Sequence, residues 1–107
     1  MLKEIADEIK LYSWQQKKPP VPLWFDGGVR NGQDVLKALA LGADLVWIGR
    51  PVLWGLACEG QKGVENVLRI LNEELKEAML RCGCYSLKDV REKGIVYKAD
   101  ELAFARL

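Results

Sequence analysis

Leu2, Ile5, Ile9 and Tyr12 recur at spacings of three and four, with Lys3, Glu4, Asp7, Glu8 and Lys10 between them. That spacing predicts an amphipathic helix whose apolar stripe needs a partner. The pattern breaks over Gln15 to Pro20, because proline disfavours helical geometry at the residue before it and donates no backbone hydrogen bond. Val21 to Phe25 follows as a short apolar run closed by Asp26, Gly27 and Gly28, a strand in which Pro22 is tolerated only near the start. Asn31 is suited to cap a helix, with Asp34 three residues on, and the helix carries Val35, Leu36, Ala38, Leu39 and Ala40 until Gly42 stops it. Leu45 to Ile48 is a second apolar run ending at Gly49. A helix between two strands implies a parallel pair, and unbroken apolar runs are what strands covered on both faces require.

Beyond Gly49 and Arg50, Pro51 suits the first turn of a short helix over Val52 to Glu59, bounded by Gly60 and Gly63. Val64, Val67, Leu68, Leu71, Leu75, Ala78 and Met79 then trace one face of a longer helix. Glu65 with Arg69, Arg69 with Glu73 and Glu77 with Arg81 support it as pairs four residues apart. From Tyr85 the apolar spacing weakens; Leu87 and Val90 are the last packing positions before a polar tail. The division is therefore a unit over residues 1–84 and a tail over 85–107. Two parallel strands leave open edges and one thin core, so the pattern reads as part of a larger α/β sheet or barrel.

Composition narrows the chemistry. The 107 residues carry a formal charge of only +1, which argues against nucleic-acid or anionic-membrane partners, and no apolar stretch is long enough to span a bilayer. There is no histidine, so His-based triads and His-ligated zinc are excluded. Cys58, Cys82 and Cys84 are an odd set, and the Cys82-Gly83-Cys84 spacing is one residue short of the usual redox and zinc pair. Free thiols are expected, and no metal.

Candidate binding chemistry gathers at the carboxyl ends of the two strands. Asp26, Gly27, Gly28, Val29 and Arg30 lead straight into a helix, and Gly49 and Arg50 lead into another. Glycines let backbone approach a ligand closely, helix starts present free N–H groups, and guanidinium holds phosphate bidentately. Two neighbouring strand ends aimed at one point are expected to bind a phosphate, the arrangement found after strands seven and eight of (β/α)8 barrels. Asp26 there is either a turn or cap residue or a hydroxyl acceptor beside the phosphate. Trp24, Trp47 and Trp54 are expected as core packing rather than cofactor stacking.

Asp26-Gly27-Gly28-Val29-Arg30, the downstream Lys37-Ala38-Leu39-Ala40-Leu41-Gly42-Ala43, and Ile48-Gly49-Arg50-Pro51-Val52-Leu53-Trp54-Gly55-Leu56-Ala57 together resemble the C-terminal part of FMN-dependent 2-hydroxy acid oxidases, the glycolate oxidase-like family. The first segment alone is shared with inosine monophosphate dehydrogenases; the last decides for the oxidases. The resemblance implies the last two strand–helix units of a TIM (β/α)8 barrel, an incomplete one. It implies FMN as cofactor, with Asp26, Gly27, Gly28, Val29, Arg30, Gly49 and Arg50 around its ribityl phosphate. Residues of the family that act on the 2-hydroxy acid lie earlier in the barrel, so no catalytic residue is assigned here. The chain is expected to be inactive alone, with segments missing before Met1. Ala105-Arg106-Leu107 resembles a peroxisomal address. The rival expectations are a non-catalytic module that binds a phosphate ligand, forms homo-oligomers or docks onto full-length subunits, and a fragment of a nucleotide-handling barrel.

Overall fold

The two apolar runs pair in parallel, Trp24 opposite Leu45 and Phe25 opposite Val46. This is seen in a computed structural model, which describes residues 1–96. In chain order the elements are α1 (Leu2–Gln16), β1 (Trp24–Phe25), α2 (Gly32–Ala40), β2 (Leu45–Val46), α3 (Arg50–Glu59), α4 (Gln61–Arg81) and α5 (Leu87–Glu92). The strands are shorter than their apolar runs. Pairing starts at Leu23, whose carbonyl accepts from Asp44 N at 2.7 Å, and ends where Trp47 N donates to Phe25 O at 2.8 Å. With one neighbour each, the flanking residues have no further ladder to join.

Successive strand residues face opposite sides. Phe25 and Val46 are half-buried, and Val46 packs on a core of Leu36, Leu39, Cys84 and Val90. The other face holds Trp24, Leu45 and Trp47, with 62%, 41% and 52% of their surface exposed, and the two indoles lie 6.0 Å apart. The expectation of strands covered on both faces is met on one. Trp24, Trp47 and Trp54 do not form a core, because among the described residues no element lies over them.

Three helix boundaries differ from the pattern. Proline constrains only the residue before it, so α1 runs on through Gln15 and Gln16 and stops at Lys17, which takes a left-handed φ of 53°. Gly63 does not end a segment. It lies inside α4, where its Cα faces Gly55 of α3, and a Cβ built on Gly55 would come within 2.5 Å of Gly63 O. The missing side chains of Gly55 and Gly63 serve close helix contact rather than a break. Finally, a further helix forms beyond Tyr85: Ser86 caps α5, and Val90, one of the expected packing positions, is fully buried on it. Burying a valine is worth about 1.5–3 kcal/mol. Arg91 of α5 also meets Asp44 at 3.2 Å, and Asp44 accepts from Leu23 N at 2.8 Å, so α5 is tied to the amino end of the strands.

Candidate functional site

From the opposite, carboxyl end of the strands, the chain leaves β1 through Asp26 to Arg30 and leaves β2 through Trp47 to Arg50. Both exits line one concavity of about 680 Å³, together with Pro51 and Trp54 of α3. The two sequence motifs are thus brought to the same place. Gly27 and Gly28 take φ values of 109° and 71°, which L side chains rarely adopt, and the space where a Cβ would stand is open. Their requirement is conformational, and the bare backbone they leave faces the cleft. Val29 anchors this loop from beneath at 5% exposure, while Asp26, Arg30 and Arg50 are exposed at the rim. Lys37 is exposed on α2 and does not line the cleft.

The two helix starts differ in a way the pattern did not reveal. At α2, Asn31 Oδ1 accepts from Asp34 N at 2.9 Å, Asp34 Oδ2 accepts from Arg30 N at 3.1 Å, and Glu74 Oε2 accepts from Gly32 N at 2.7 Å. A carboxylate from α4 therefore stands where a phosphate was expected. At α3 the cap is Gly49, which offers no side-chain acceptor, so the first amide of that helix remains for an external anion. Among the described residues none accepts from the Gly27, Gly28 or Gly49 amides either. The β1 loop and the α3 start thus keep amides without an acceptor among the described residues, beside the exposed Arg30 and Arg50, whereas the amide of Gly32 at the α2 start is already taken by Glu74. Glu74 is not among the residues that the motifs single out. Its signal was an acidic residue at the spacing of the apolar stripe, three after Leu71 and four before Ala78.

The remaining candidates hold less chemistry. Cys58 and Cys82 are exposed free thiols and Cys84 is a buried one. Among the described residues no group of three or more His, Cys, Asp or Glu side chains is placed to hold a metal. No described helix is long and apolar enough to cross a membrane. Ala105-Arg106-Leu107 lies outside the described residues.

Parallel strands joined through a helix, with a concavity at their carboxyl ends, define an α/β class of strand–helix–strand build. The chain belongs to the FMN-dependent dehydrogenase family, whose profile matches residues 1–97. FMN is the cofactor of that family. The chain is 54% identical over 89 residues to glycolate oxidase 1 of Oryza sativa subsp. indica, covering 81% of this chain and 24% of that one. With 2-hydroxyacid oxidase 1 of Homo sapiens it shares 56% identity over 78 residues, 73% of this chain and 21% of the relative. Among solved structures, mandelate oxidase with benzoyl-formic acid superposes with a TM-score of 0.74 at 44% identity, covering 85% of this chain and 25% of that one. A mandelate oxidase variant with a monooxide FMN adduct gives 0.75 at 44% identity, over 85% and 26%. The chain spans about a quarter of the length of these curated relatives.

Proposed function

We propose that this chain is the FMN-phosphate-binding portion of a 2-hydroxy acid oxidase, formed by the last two strand–helix units of a (β/α)8 barrel. One observation carries the reading: Asp26 to Arg30 and Gly49 to Arg50, twenty residues apart in sequence, line a single cleft. In it, the Gly27, Gly28 and Gly49 amides and the Arg30 and Arg50 guanidinium groups hold the phosphate, and Asp26 accepts from a ribityl hydroxyl. When bound, FMN supplies the two-electron acceptor through which a 2-hydroxy acid becomes a 2-oxo acid, with O2 restoring the flavin. Arginine stays protonated in proteins, so neither Arg30 nor Arg50 can take the substrate proton, and the sequence has no histidine for that task. The chain alone is inactive in this reading; substrate binds only in a complete barrel.

The test is titration of the chain with FMN, read as quenching of the Trp47 and Trp54 emission, both indoles being at the cleft. Arg50→Met should weaken binding on the order of 10-fold or more, the loss of a charge-assisted contact, while Lys37→Met leaves it nearly unchanged. Equal weakening in both variants sinks the assignment. Peroxide release from chain, FMN and a panel of 2-hydroxy acids should stay at the level of free FMN.

A second reading is favoured by the open Trp24, Leu45 and Trp47 face: a non-catalytic phosphate-binding module that docks through this face onto itself or onto full-length subunits. FMN binding with no turnover, by a chain that also co-sediments with an intact oxidase, separates it from the first. We also propose peroxisomal localisation, carried by Ala105-Arg106-Leu107. A fluorescent reporter ending in residues 85–107 should be punctate and peroxisomal, and a diffuse signal removes this claim.

A further inference from the structure

Glu74 reaches from α4 across to the exit of the β1 loop. Its Oε2 lies 2.7 Å from Gly32 N, forty-two residues away in sequence, in a partly buried setting. The approach is close because residue 32 is glycine: a Cβ there would collide with the Leu75 amide nitrogen and the Glu74 side chain. Immediately upstream, Arg30 N donates to Asp34 Oδ2 and Asp34 N to Asn31 Oδ1. These bonds lock the segment from Arg30 to Asp34 to itself, and the Glu74 bond locks that segment to α4. A carboxylate at the α2 start also takes the place where that helix would attract an anion.

We propose that Glu74 is a positioning residue for the phosphate-binding loop. Through Gly32 it fixes where Asp26 to Arg30 stand before ligand arrives, and its charge confines the phosphate to the β1 loop and the α3 start. This rests on the phosphate-site reading above and adds a residue outside the cleft that acts through its backbone. Holding the loop in its binding geometry in advance reduces the ordering cost of binding. A neutral acceptor of the same length can keep the bond, whereas a shorter carboxylate keeps the charge and withdraws the oxygen by about 1.5 Å.

The experiment is FMN affinity of the full chain, by tryptophan quenching, in Glu74→Ala, Glu74→Asp and Glu74→Gln, with helix content followed by circular dichroism. Ala and Asp should each weaken FMN about 10-fold, Gln should stay within about 3-fold of the unsubstituted chain, and helix content should be equal in all. A loss that merely reflected stability would not spare Gln while penalising Asp. Unchanged affinity in Ala, or Gln as weak as Ala, overturns the proposal; if Ala does not fold, unchanged affinity in Asp overturns it. Arg50→Met, measured alongside, tells the two readings apart. Weakening by Arg50→Met without weakening by the Glu74 variants removes only the positioning role, while no FMN binding by the unsubstituted chain removes both.

Discussion

Asp89 and Glu74 are carboxylates that a hydrophobic pattern passes over, and both hold backbone amides that the fold needs held. Asp89 Oδ2 accepts from Tyr85 N at 2.9 Å, while Asp89 N donates to Ser86 Oγ at 3.2 Å, a reciprocal cap at the start of α5. The Tyr85 amide, assisted by the nearby Lys93 charge and by Ser86, lowers the Asp89 carboxyl below its ordinary 3.8. A carboxyl depressed in the folded chain stabilises it above the unfolded value, and that contribution is lost as pH falls from about 3.8 through the lower folded value. Asp89→Asn should therefore destabilise the chain in denaturant unfolding at about pH 6, and the gap to the parent should narrow as pH falls below about 3.8. A gap independent of pH would refute it. Ser86 and Asp89 stand three apart, a local spacing that the sequence carries even though the apolar pattern weakens there. The Glu74 bond was not legible in the sequence, because no local spacing reports a contact across forty-two residues.

At the scale of elements, legibility followed periodicity. The stripe of α4 and the turn residues around α2 placed both helices, since the signals there are local: Asn31 does cap α2, and Gly42 just past its end takes a φ of 116°. Strand extent was less readable, because an apolar run states that a segment can pair but not how many neighbours it has. Glycine misled for a related reason. Gly60 does separate α3 from α4 with a φ of 60°, whereas Gly63 is helical and its missing side chain admits Gly55 of the facing helix. A breaker and a contact glycine look alike until the partner is known. The same gap hid the difference between the two helix starts: the sequence offers both to an anion, and only packing shows that α4 already supplies one of them.

For the whole molecule, one sheet face decides the behaviour. Trp24, Leu45 and Trp47 present contiguous apolar surface, and each strand of the pair also keeps one unpaired edge among the described residues. Isolated exposed apolar residues need no explanation, but a continuous aromatic patch beside open strand edges is the kind of surface that associates. Relatives about three and a half times this length match the chain over about a quarter of theirs, so a face left open here has sequence to meet in them. The chain on its own should therefore self-associate, sedimenting as a dimer or larger species at micromolar concentration. Trp24→Gln with Trp47→Gln should shift it toward monomer without lowering helix content, because α2, α4 and α5 keep their own core around Leu36, Leu39, Cys84 and Val90. Charge should matter little to this association: the formal net charge is +1, so neither strong self-repulsion nor long-range attraction opposes or drives it, and added salt should not dissolve the complex. A monomer with one cooperative melting transition would count against the argument at its first step, since it would mean that the Trp24, Leu45 and Trp47 face is stable in water.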